Sequence, residues 1–149
     1  MTAGNGGSAS TAEHFAADLS QMEKRTGHSV RAFCLNSQVA LSSAFANDLG
    51  FEKVLAQQLS PYRNLNFLFI AFSASGNSAN ILNAINYSLS LNKKTFCFLG
   101  FDGGNALKVK NLECIYFPDN FKNYGVVENL HLLACHYIVD KLVIALKSC

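Results

Sequence analysis

Asn66-Phe67-Leu68-Phe69-Ile70-Ala71-Phe72-Ser73-Ala74-Ser75-Gly76-Asn77-Ser78 passes from a near-continuous apolar run into a cluster of small polar residues. A run that is apolar at successive positions predicts a strand covered on both faces, Asn66 to Phe72, since a half-exposed strand would alternate. Beyond the polar cluster Ile81, Leu82, Ile85 and Leu89 recur at helical spacing, so Asn77 to Leu91 predicts a helix ended by Asn92. Strand, tight turn and helix in that order are the first part of a βαβ unit, and such units build a parallel sheet. Outward from this unit, Val30 to Leu35, Thr95 to Leu99 and the weaker Glu113 to Phe117 predict further strands. Ser10-Thr11-Ala12-Glu13 reads as a capping box that opens a helix running to about Lys24. Tyr124 to Lys147 predicts one long helix, apolar on most faces; at a chain terminus this predicts packing against another subunit through Leu132, Leu133, Ile138 and Leu142.

Composition narrows the function classes. The 149 residues fit a single domain, residues 1–149. Half are hydrophobic and only 15% charged, which suits a packed globule with a further buried interface. The net charge of +2 is spread without a basic block, so no electrostatic case for nucleic acid arises. Five cysteines, with no CxxC pair and mostly within apolar runs, read as buried reduced thiols of a cytoplasmic protein. No unbroken apolar run of spanning length and no signal-peptide character at Met1 to Gly7 are visible, which predicts no membrane partner.

Two Gly/Ser-rich turns precede helices: Gly4-Asn5-Gly6-Gly7-Ser8 and Ser73 to Ser78. Serine hydroxyls and free amides at a helix N-terminus donate into a favourable dipole and suit phosphate. Ordinary βα turns with Ser and Asn as caps account for the same residues. Neither turn contains GxxxxGK[ST] or GxGxxG, which disfavours a P-loop nucleotidase and a standard dinucleotide enzyme. Only three residues precede Gly4, too few for the strand such a loop normally follows, so a missing N-terminal portion is expected.

Taken in order, Gly4 to Ser8, His14-Phe15-Ala16-Ala17-Asp18, Asn47-Asp48-Leu49-Gly50-Phe51, Ser73 to Ser78, Gly103-Gly104, and Glu128-Asn129-Leu130-His131 with His136 resemble the phosphoheptose isomerases of the sugar isomerase (SIS) family. The resemblance covers essentially the whole chain apart from the helix and first strand that normally precede the first loop. It implies an SIS-type doubly wound parallel sheet flanked by helices in three layers, N-terminally truncated. It also implies a homotetramer with active sites between subunits, and isomerisation of sedoheptulose 7-phosphate to a heptose 7-phosphate for surface polysaccharide. On this resemblance Asn5, Gly6, Ser8, Ser73, Ser75 and Ser78 bind the substrate, the serines cradling its phosphate. His14 and Asp18 match helix positions facing the sugar, where the family has histidine and glutamate. Asp48 matches an acidic active-site residue, and Glu128 and His136 match a glutamine and a histidine of the last helix.

His14 and Asp18 are four apart and Glu128 and His136 eight apart, so each pair shares a helix face. Two histidines and two carboxylates would suit tetrahedral zinc, which some family members bind through the corresponding residues. A single helical His or Asp is ordinarily a surface residue, so the argument rests on the set. Moving a carbonyl between C1 and C2 needs a base and an acid. Asp18 is the expected base and His136 the expected acid, with Asp48 and Glu128 orienting hydroxyls or a metal. Asp18 is one methylene shorter than the family's glutamate, and Glu128 adds a charge where the family has glutamine. A non-catalytic SIS module that senses sugar phosphates or associates with a replication initiator is the alternative.

Overall fold

The structure is a computed structural model in which residues 1–148 are described. A parallel sheet of four strands, β1 (Thr2–Ala3), β2 (Leu68–Ser73), β3 (Lys94–Leu99) and β4 (Glu113–Tyr116), lies in chain order β1-β2-β3-β4. Among the described residues six α-helices accompany it: α1 (Gly7–Ser20), α2 (Met22–Thr26), α3 (Val39–Leu49), α4 (Val54–Leu59), α5 (Ala79–Ser90) and α6 (Tyr124–Lys147).

Strand alternation builds the three layers. Phe69, Ala71, Cys97 and Leu99 point to one face and pack with Leu55 and Leu59 of α4 and Ile81, Ala84 and Ile85 of α5. Ile70, Phe72 and Phe98 point to the other and pack with Ala12, Phe15 and Leu19 of α1 and Cys135 and Val139 of α6. β2 and β3 are therefore covered on both faces, as their unbroken apolar runs require.

Several boundaries differ from the sequence reading. The three residues before Gly4 do supply a strand: Thr2 and Ala3 pair with Ile70 and Ala71 of β2. Val30 to Leu35 is not a strand; it meets the sheet through one bridge, Thr2 to Cys34, and Leu35 already begins a 3-10 turn, Leu35–Ser37. Among the described residues the strand it meets is the two-residue β1, which has too few backbone groups to extend a ladder. α1 begins at Gly7, three residues before the proposed capping box, with Gly6 at the N-cap in left-handed backbone, φ 53°. Glu13 is thereby inside the helix, and its carboxylate accepts a hydrogen bond from Ser37 at 2.8 Å. The segment expected to run to Lys24 is two helices, broken at Gln21 and ended by Gly27 at φ 80°. α3 and α4 have no counterpart among the predicted elements.

α6 spans the predicted Tyr124–Lys147, yet only the stripe Val127, His131, Cys135 and Val139 is buried. By length and mean hydropathy it is long and apolar enough to cross a membrane, unlike the reading from unbroken apolar runs; its buried stripe docks on the sheet. Cys34, Cys97, Cys114 and Cys135 are free thiols, with Cys114 only partly buried, and Cys149 lies outside the described residues.

Candidate active site

The serine loop leaves β2 at Ser73 and enters α5 after Ser78, the N-cap residue. Its shape is held from inside and behind. The Ser73 hydroxyl accepts from the Gly76 amide at 3.1 Å and the Ser75 hydroxyl from the Asn77 amide at 3.2 Å. Each hydroxyl keeps its own proton to donate outward. Gly76 sits at φ 63° against the Gly103 carbonyl, where no β-carbon would fit. The Asn77 side chain accepts from Asn105 N and donates to Ser75 O, tying the loop to the turn that contains Gly103 and Gly104. Ser78 makes no side-chain capping bond, so its hydroxyl is free at the positive end of the α5 dipole.

The first glycine loop is fixed beside it by two reciprocal amide pairs. Asn36 accepts from the Gly4 amide and donates to its carbonyl, at 3.0 and 2.8 Å. Asn5 and Asn80 exchange hydrogen bonds at 2.9 and 2.8 Å, joining this loop to the first turn of α5. Between the two loops lies a cleft of about 290 Å³ lined by Asn5, Gly6, Ser8, Phe72 to Ser75, Ser78, Tyr124 and Glu128. The Glu128 carboxylate lies against Gly7 at the start of α1, occupying the space a side chain there would need.

Further along the α1–α6 seam, His14 Nε2 is 3.1 Å from His136 Nε2, and Asp18 Oδ2 is 3.5 Å from the first and 3.8 Å from the second. The short contact between the ring nitrogens requires one to donate and the other to accept. One nitrogen from each histidine and one carboxylate oxygen lie within 4.8 Å of one another. This two-nitrogen, one-oxygen set fits a zinc ion that keeps its fourth position open. Glu128 is not in the group: eight residues of helix place it about 12 Å along α6 from His136, so a shared face is not a shared point.

Asp48 is exposed on α3, its carboxylate bonded to Asn47 at 2.9 Å, and it lines neither the cleft nor the histidine cluster. Phe72 and Tyr124 line the cleft, and Asn36 and Asn80 brace its glycine loop, although the sequence did not single them out. For Asn36 and Asn80 the only signal was an amide near a turn or helix start, which caps account for equally well.

Burial raises the Cys135 thiol to about 12, with the nearby negative Asp18 acting in the same direction. That thiol stays protonated beside the cluster. His131, one turn beyond Glu128, is lowered by burial and is neutral; its bond to the Leu99 carbonyl opposes the shift without reversing it.

Comparison with known proteins accords with this geometry. Residues 1–100 match the SIS domain family. The chain is 35% identical over 140 residues to phosphoheptose isomerase of Helicobacter pylori, covering 94% of this chain and 71% of the relative. It is 31% identical over 138 residues to phosphoheptose isomerase of Aliarcobacter butzleri, at 93% and 71% coverage. A solved phosphoheptose isomerase from Francisella tularensis superposes with a TM-score of 0.82 at 26% identity, over 93% of this chain and 72% of that one. The Neisseria gonorrhoeae phosphoheptose isomerase gives 0.81 at 25% identity, over 99% and 76%. The chain belongs to the SIS-domain family, among the phosphoheptose isomerases.

Proposed function

We propose that this isomerase interconverts sedoheptulose 7-phosphate and an aldoheptose 7-phosphate, with the phosphate in the serine loop and C1–C2 at the histidine cluster. The observation that carries the reading is the placement of both sites along the one α1–α6 seam. Ser8 in the cleft and His14 are six steps apart on α1, about 9 Å of helix, a separation suited to a long sugar phosphate anchored at one end.

In the ketose-to-aldose direction Asp18 removes a proton from C1, and that electron pair forms the C1–C2 double bond. The carbonyl π pair moves to O2, which His136 protonates, giving an enediol. Loss of the O1 proton and return of a proton to C2 then complete the aldose. His14 holds Asp18 and His136 in relation to one another, and Glu128 orients hydroxyls nearer the phosphate. His14, Asp18 and His136 are the residues that would hold zinc, which when bound polarises a carbonyl or hydroxyl oxygen.

The proposal includes a cytoplasmic homotetramer, supported by free buried thiols and by exposed apolar side chains on α6. In it, Asp48 serves a site to which a neighbouring subunit contributes, consistent with its exposure on α3. Purified protein incubated with sedoheptulose 7-phosphate should form the aldose; no product, with or without added zinc, rejects the reading.

A further inference from the structure

α6 grips the carboxyl end of β3 at two points one turn apart. Val127 presses on Gly100, leaving no room there for a side chain. His131 Nε2 lies 3.1 Å from the Leu99 carbonyl oxygen. Leu99 is in register with Ser73, the first residue of the serine loop, and the Gly100 amide donates to Ala74 within that loop at 3.1 Å. Glu128, on the turn between the two grips, lines the cleft.

His131 is an expensive residue to place here. It is 0% exposed, ringed by Phe72, Phe98 and Phe117 at centroid distances of 6.2, 5.7 and 5.8 Å. A carbonyl only accepts, so the ring proton sits on Nε2, and Nδ1 is left a buried acceptor with no partner among the described residues. An apolar side chain would fill this site without that desolvation cost. What the imidazole adds is direction: Val127, Cys135 and Val139, the rest of the buried stripe, make apolar contacts that tolerate small slides and rotations.

We propose that His131 is a positioning residue whose hydrogen bond to Leu99 sets the rotation and axial register of α6. It thereby holds Glu128 beside the serine loop and His136 beside His14. The kinetic consequence rests on the isomerase reading above.

Three variants separate this role from packing. In His131→Gln the amide nitrogen reaches the Nε2 position; in His131→Asn it reaches only the Nδ1 position; His131→Leu keeps bulk and removes the donor. With sedoheptulose 7-phosphate, the Leu and Asn variants should lose roughly 10- to 100-fold in kcat, the scale of a displacement near 1 Å, with KM little changed. The Gln variant should recover most of kcat. Amide hydrogen exchange, read without substrate, should show protection at Val127 to Asn129 falling about tenfold or more in the Leu and Asn variants, held in the Gln variant, and unchanged in β2. Wild-type protection in the Leu variant, or a Gln variant as impaired as the Leu variant, would overturn the proposal. Absence of turnover in the wild-type protein would defeat the isomerase reading alone, because the exchange comparison still decides the role of His131.

Discussion

Asp18 and His136 lie 3.8 Å apart and are partly exposed, so neither contributes much packing. Asp18→Asn keeps the shape and removes the anionic base; His136→Gln keeps a polar donor and removes the ring acid. Each should lower kcat by about 10² or more with little change in KM, because proton transfer matters in the transition state. Thermal melting should stay close to wild type, and joint unfolding of the two variants would make these residues structural. His131 adds a pH signature. Its folded form is held below the ordinary histidine value, so near pH 6 the unfolded chain binds more protons than the folded one. Its contribution to stability is complete above about 6.5 and is lost as pH falls below that value. Denaturant midpoints from pH 7.5 to 5 should decline accordingly, and His131→Gln should flatten the decline. The groups facing the ring are Phe72, Phe98, Phe117 and the Leu99 carbonyl, none of which titrates in that range.

At the scale of elements, the site is two turns fastened to each other by amide side chains. The Asn5–Asn80 pair joins β1–α1 to β2–α5, and each amide answers the other in both directions. Asn80 is buried, so Asn80→Ala leaves the Asn5 amide facing a pocket without its partner. The expected loss is about 0.5–1.5 kcal/mol of stability, the net worth of a hydrogen bond whose remaining partner, the half-buried Asn5, is open to water from the cleft. Phosphate affinity should fall as well, because the glycine loop is then free to move away from the serine loop. Calorimetry with inorganic phosphate and urea unfolding measure the two effects. Unchanged values in both would show that the backbone ladder between β1 and β2 suffices to hold the loop.

Across the whole molecule, the helical layers are unevenly covered. None of the side chains of α3 is buried, and on α6 Leu133, Tyr137 and Ile144 are 65%, 62% and 61% exposed. We expect this apolar surface on two helices to be covered by self-association. Leu133→Lys combined with Ile144→Glu should shift sedimentation from an oligomer to the monomer while leaving the far-UV spectrum intact. An unshifted oligomer would place the contact on α3 instead. Asp48 stands on that helix, so an α3 contact would also decide whether it reaches a neighbour's cleft.

What the sequence by itself determined is strongest where the signal is local and dense. The run Asn66 to Phe72 and the turn after it specified β2, its burial on both faces and the start of α5, because consecutive apolar residues followed by small polar ones admit few other arrangements. The long segment apolar on most faces likewise specified α6, Tyr124–Lys147. Local pattern was a poorer guide where neighbours decide the outcome. Val30 to Leu35 has strand composition but meets only a two-residue strand, whereas Thr2–Ala3 is too short to carry any pattern and becomes a strand because β2 offers it a ladder. The same division runs through the site. Periodicity put His14 with Asp18, and Glu128 with His136, on common faces. The resemblance put His14 and His136 in one set, and tertiary structure brought them together while turning Glu128 to the cleft between the two loops, since helix spacing specifies direction around an axis while the packing of α1 on α6 specifies which levels meet. The fold also supplied the Asn5–Asn80 and Asn36–Gly4 pairs and the His131 bond to Leu99, contacts between residues far apart in the chain that become neighbours only when the sheet forms.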